Sequence, residues 1–110
     1  MSSETAVRVN SETLRNHRHQ RVRIVGTVLN RSAGQMTITS TDEMPILIYS
    51  TGNEGDFQTN SWVEVTGQVQ DDNSILAEII IPLQGNIDKE AWNQMALLID
   101  RHHEIFFDRT

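Results

Sequence analysis

The side chains best placed for chemistry are four histidines, at positions 17, 19, 102 and 103. His17-Arg18-His19 puts two imidazoles on one face of a strand, or about 200° apart on a helix. The arginine between them opposes a bound cation. His102, His103 and Glu104 are consecutive and cannot converge on one ion if helical. Serines and aspartates are plentiful, but there is no Gly-x-Ser-x-Gly elbow and no histidine set by motif beside a nucleophile. Gly52-Asn53-Glu54-Gly55 is acidic and lacks the following lysine of a phosphate loop. The chain has no cysteine, which removes disulfides and thiolate metal sites. The expectation is a protein with no catalytic residues, no metal, no cofactor and no small-molecule substrate.

What remains is the chemistry of surfaces. Net charge is −6 over 110 residues, and it is uneven. Residues 1–31 hold six arginines against two acids; residues 32–110 hold three basic residues against thirteen acids. An acidic body repels phosphate backbones. The basic first segment could touch nucleic acid or an acidic partner, or simply be solvated. Met1-Ser2-Ser3-Glu4-Thr5 has no apolar signal core, and no apolar run approaches membrane-spanning length. These features lead us to expect one soluble intracellular domain with no membrane contact.

The elements that carry these surfaces read mainly as strands. Val22-Arg23-Ile24-Val25-Gly26-Thr27-Val28 is echoed by Val63-Glu64-Val65-Thr66-Gly67-Gln68-Val69. Each phrase alternates apolar and polar residues around a glycine, the pattern of a half-buried strand with a bend or bulge. Strands are expected over residues 21–30, 36–40, 46–49, 62–70 and 74–81. Asp71-Asp72-Asn73 reads as a tight hairpin turn, and Asn10 or Ser11 as the cap of a short helical turn. Residues 1–10 read as a flexible arm, 11–83 as a barrel, and 84–110 as an oligomerisation helix and tail. The fold expected is all-β: a five-stranded OB-type Greek-key barrel with a C-terminal α-helix.

That helix is capped by Asp88 and is expected to reach about Arg101 or a little beyond. On a wheel of about 100° per residue, Trp92, Met95, Ala96, Ile99, His103 and Phe106 form one stripe, widened by Ala91, Leu98 and Ile105. The apolar arc spans roughly 180°, against roughly 100° for one-sided packing. One face can plug an open barrel end. The surplus would then meet water, which marks a partner surface, most economically another helix.

OB barrels that grip single strands use aromatic platforms on their second and third strands, framed by two loops. Here those strands offer only Tyr49. One framing loop has Arg31, and the other is Asp71-Asp72-Asn73, which repels phosphates. Weak or no intrinsic nucleic-acid affinity is expected. Arg8, Arg15 and Arg31 are the candidate contacts.

The order of these features resembles the small-subunit family of replication protein A, the eukaryotic single-stranded DNA-binding heterotrimer. A short arm leads to the Leu14 turn and the bent strand Arg23-Ile24-Val25-Gly26. Hairpin strands and Trp62–Val69 follow, then an apolar helix ending His103-Glu104-Ile105-Phe106. The resemblance covers roughly residues 7–107. It implies a nuclear, non-catalytic structural subunit acting in DNA replication, repair and recombination. Its terminal helix would join helices of the large and middle subunits in a three-helix bundle, with single-stranded DNA held mostly by those partners. Carried over, Trp92, Met95, Ala96, Leu98, Ile99, Ile105 and Phe106 are the bundle candidates. The short Thr51–Asn60 loop and the histidines inside the apolar arc depart from that pattern. Two alternatives stay open: the small OB subunit of the telomere-capping CST complex, and a free-standing OB adaptor that binds nucleic acid through its arginines.

Overall fold

The computed structural model describes residues 6–32, 34–50, 57–85 and 87–108, with side chains described as far as Arg101. The elements in chain order are β1 (Val7–Arg8), α1 (Ser11–Leu14), a 3-10 turn (Arg15–His17), β2 (Arg21–Ser32), β3 (Gln35–Ser40), β4 (Pro45–Tyr49), β5 (Trp62–Val69), β6 (Ile75–Pro82) and α2 (Lys89–Asp108). The sheet order is β1-β2-β3-β4-β6-β5, and β5 returns to pair with β2. Five strands thus close into a ring, the OB-type barrel expected from the alternation. The β4–β6 seam is parallel and spans two residue pairs, Ile48↔Ile75 and Tyr49↔Leu76.

The two echoed phrases are antiparallel neighbours. Val22 lies opposite Gly67, and Val63 opposite Gly26. Val22, Ile24, Val28, Val63, Val65 and Val69 are fully buried and line the barrel interior. Each such side chain contributes about 1.5–3 kcal/mol of transfer free energy. The glycines are places of close backbone approach. A Cβ on Gly67 would fall on the Leu76 carbonyl oxygen and 2.8 Å from Ala77 Cα. The β5–β6 register shifts between Thr66 and Gly67, as a bulge requires. A Cβ on Gly26 would strike the Thr39 carbonyl, where β2 passes from its β5 partner to its β3 partner.

The N-terminal reading needs correction over its described part. Residues 6–10 are not a loose arm. Val7 and Arg8 pair in parallel with Val22 and Arg23, and Ala6, Val9 and Asn10 are buried. β1 can take this place because β3 leaves the first half of β2 uncovered on that side. Asn10 then caps α1 in a reciprocal box with Thr13: Thr13 N donates to Asn10 Oδ1 at 3.0 Å, and Asn10 N to Thr13 Oγ1 at 3.1 Å.

A second correction concerns the plug. Leu14, at the end of α1, enters the core cluster together with Val9, whereas none of the described side chains of α2, residues 89–101, belongs to that cluster. The terminal helix therefore packs outside the N-terminal segment. It is also longer than expected, its backbone running to Asp108.

Candidate functional site

Asp88 starts α2 as expected: its Oδ1 accepts from Ala91 N at 3.1 Å. The face turned toward the domain is largely polar. Asn93 is its hub. Its Oδ1 accepts from Asn10 Nδ2 at 2.9 Å and from Thr41 Oγ1 at 2.6 Å, and its Nδ2 donates to the Thr41 carbonyl at 3.1 Å. Asn10 thus serves two helices, capping α1 with its oxygen and holding α2 with its nitrogen. One turn earlier, Lys89 Nζ reaches Glu43 at 2.6 Å on the β3–β4 turn. Trp92 Nε1 donates to the Val9 carbonyl at 2.9 Å. Two turns beyond Asn93, Asp100 accepts from Asn16 Nδ2 at 3.1 Å and lies 3.0 Å from Nε2 of the buried His17. The other His17 nitrogen is 2.8 Å from Gln20 Oε1. Between these anchors sits Ala96, fully buried, whose small side chain permits the close approach.

Asp42 fixes the surface on which α2 rests. Its carboxylate accepts from Ser11 N at 3.2 Å, Ser11 Oγ at 2.6 Å, Glu12 N at 3.1 Å and Ser40 Oγ. Burial alone would raise its pKa. The hydrogen bonds outweigh that and hold the carboxyl below its ordinary range.

The partner-face candidates divide across this geometry. Leu98 is 58% exposed on the side of α2 away from the domain, and Met95, 40% exposed, lies on the flank between, its sulfur in contact with Arg8. Trp92 and Ile99 are half-buried. Ala96 is not available to a partner, because it is fully buried within the chain itself; this corrects its placing in the partner stripe. The side chains of Ile105 and Phe106, like those of His102 and His103, lie outside the described residues. Sequence reasoning missed Asn93 and Asp100, because it searched for an apolar packing face, and it weighed His17 only as a metal ligand. The signal was present as Asn93 and Asp100 seven residues apart, hence on one side of a helix, with Ala96 between them.

The arginine candidates do not form one surface. Arg8 on β1 is held to α2, its guanidinium 5.7 Å from the Trp92 ring centroid and its Nη1 2.9 Å from Met95 Sδ. Arg15 is exposed in the 3-10 turn, and Arg31 is exposed near the end of β2. Beside the β5–β6 turn, a cleft of about 390 Å³ is lined by Tyr49, Gln70, Asp71, Asp72, Ser74 and Leu76. Asp72 accepts from Ser74 Oγ at 2.6 Å and Ser74 N at 3.1 Å. The Ser74 hydroxyl foremost keeps that carboxyl below its ordinary pKa. Asp71 pairs with His19 at 2.7 Å. The cleft therefore offers one aromatic ring beside two carboxyl groups. Among the described residues, no group of three or more His, Asp or Glu side chains could hold a metal ion, and no helix is long and apolar enough to cross a membrane.

Comparison with known proteins gives the same frame. The chain is similar to a subunit in the structure of U. maydis replication protein A bound to single-stranded DNA, at 27% identity and a TM-score of 0.76, covering 89% of this chain and 91% of that one. It is also similar to a chain of the S. pombe Stn1–Ten1 complex, at 17% identity and a TM-score of 0.75, covering 91% and 96%. A further replication protein A heterotrimer bound to single-stranded DNA matches at 17% identity and a TM-score of 0.61, covering 92% and 96%. The last two likenesses show the fold alone. No curated protein matches. The model of the family "Replication factor A protein 3" matches residues 1–106, nearly the whole chain. On that match, with the closed barrel and terminal helix it accompanies, this chain belongs to the replication factor A protein 3 family.

Proposed function

We propose that this chain is the small, non-catalytic structural subunit of a replication protein A heterotrimer. It assembles with the large and middle subunits through α2, in a three-helix bundle. The observation that carries this reading is the outward side of α2. Met95 and Leu98 are apolar and exposed on a helix whose opposite side is already occupied by hydrogen bonds to its own domain. A partner helix covering that side would bury the area the chain leaves open. Trp92 and Ile99 would flank the contact, and Ile105 and Phe106 would extend it. The acidic cleft beside Tyr49 supports a division of labour in which the larger subunits hold most of the single-stranded DNA. On this reading the protein acts in the nucleus, in DNA replication, repair and recombination.

The telomere-capping alternative rests on the Stn1–Ten1 likeness, which carries the fold and not the partner. Co-expression with the cognate large and middle subunits tests the proposal. The expected product is an equimolar heterotrimer retained on single-stranded DNA. A chain that stays alone, or pairs only with a telomere-restricted OB partner, would overturn it.

A further inference from the structure

The way α2 is fastened to its own domain is at odds with its composition. A helix with so broad an apolar arc would be expected to turn that arc inward. Instead, four polar anchors at positions 89, 92, 93 and 100 meet Glu43, Val9 O, the Asn10–Thr41 pair and the His17–Asn16 pair. Among the described residues, α2 contributes nothing to the barrel core. Apolar packing tolerates rotation of a helix about its axis, because it is non-directional. Hydrogen bonds are directional, and a buried amide left without partners is costly. Turning α2 by one residue would leave Asn93 Oδ1 without the two donors it accepts from, and Thr41 O without the Asn93 donor it receives.

We infer that Asn93 and Asp100 are positioning residues that set the rotation of α2, and so choose which apolar side chains are offered to a partner. This rests on the proposed function for what the offered face does, but not for the fastening itself. In the docked rotation Leu98 faces out, Met95 lies half-open on the flank beside Arg8, and Ala96 faces in at 0% exposure. Polar fastening also leaves Leu98 and part of Met95 uncovered within the chain. The helix is thus held ready for association with little ordering left to be done.

The test uses the absence of cysteine in the whole chain. Met95→Cys, Ala96→Cys and Leu98→Cys each introduce a sole thiol, and maleimide labelling of the full-length free chain reads which face is covered. Positions 95 and 98 should label fast, and position 96 slower by on the order of a hundredfold, the protection of a closed local structure. Adding Asn93→Leu with Asp100→Leu should cut the protection at position 96 roughly tenfold, the effect expected from losing buried hydrogen bonds. Because Leu14 fills the barrel core and no described side chain of α2 does, far-ultraviolet circular dichroism and the melt should still show a folded barrel. Asp100→Asn keeps one oxygen to accept from Asn16 Nδ2 and turns an N–H toward His17 Nε2, which can accept it in the Nδ1–H tautomer, so the variant should keep the protection. In co-expression with the large and middle subunits, the double leucine variant should assemble roughly tenfold more weakly, from lost pre-organisation, while Asp100→Asn assembles as the parent does. Unchanged protection at position 96 in the double variant would overturn the inference, and so would lost protection with unchanged assembly. A parent chain that shows the labelling pattern but never assembles would sink the proposed function and leave the fastening intact.

Discussion

Leu98→Glu separates a residue waiting for a partner from one that belongs to the fold. Leu98 is 58% exposed in the chain. Full burial of a leucine is worth about 1.5–3 kcal/mol, so about 1–2 kcal/mol is still to be gained by covering it. In the free chain the glutamate meets water, and the change in stability should stay within about 0.5 kcal/mol. That corresponds to about 2 °C in Tm for a domain of this size. In the assembled trimer the same carboxylate would be buried without a counter-charge. That cost of several kcal/mol adds to the lost apolar packing. A total of about 3–5 kcal/mol weakens assembly by roughly two to four orders of magnitude. A thermal melt of the free chain and a competition titration of tagged against untagged subunit read the two numbers. The reasoning fails if the free chain loses several degrees, because Leu98 would then be part of the domain's own packing. It fails equally if assembly is unchanged, because the outward side of α2 would then face no partner.

Three further outcomes follow from the geometry. Gly67→Ala forces a methyl into the backbone of β6; it should cost about 1–3 kcal/mol, read as a lower midpoint in urea. Asp42→Asn should flatten the acid side of the stability profile. Folding lowers the Asp42 pKa, so its contribution is complete above the ordinary carboxylate range and is lost as pH falls through and below it; urea midpoints from neutral pH downward should fall less steeply in the variant. Asp71→Lys reverses a charge at the rim of the Tyr49 cleft and should raise single-stranded DNA affinity in fluorescence anisotropy, steepening the salt slope by about 0.7 for each further phosphate neutralised.

The barrel was legible because its signal is local. Alternation in Val22–Val28 and Val63–Val69 marks strands whatever they pair with, and the interrupting glycines announce bends before the clashing partner is known. The turn at Asp71–Asn73 and the caps at Asn10 and Asp88 were legible for the same reason: each depends on residues within a few positions. The N-terminal segment was not, because Val7 and Arg8 become a strand only once β2 offers them an uncovered edge. The side chains that fasten α2 were hidden by a different physics. Asn93, Thr41, Asn10, Asp100 and His17 are polar residues far apart in the chain, and only the fold shows that they satisfy one another. An apolar wheel finds Trp92, Met95 and Leu98 but cannot say which of them the domain keeps. Ala96 shows the limit, since a small residue in an apolar stripe suits either a partner helix or the chain's own backbone.

The ring also sets the order in which the chain reaches its native state. β2, β3 and β4 follow one another with short turns and can form early as a meander. Closure waits for β5, whose register joins Arg21 to Gln68 and Thr27 to Trp62. These pairings join stretches of chain far apart in sequence, and such loops must close before they are rewarded. Folding on the millisecond-to-second scale is expected of such a topology. The β4–β6 seam, with its two residue pairs, is the shortest pairing that closes the ring. Until it shuts, bare strand edges stand open to other nascent chains. A newly synthesised chain is thus open to misassociation for the time its barrel takes to close.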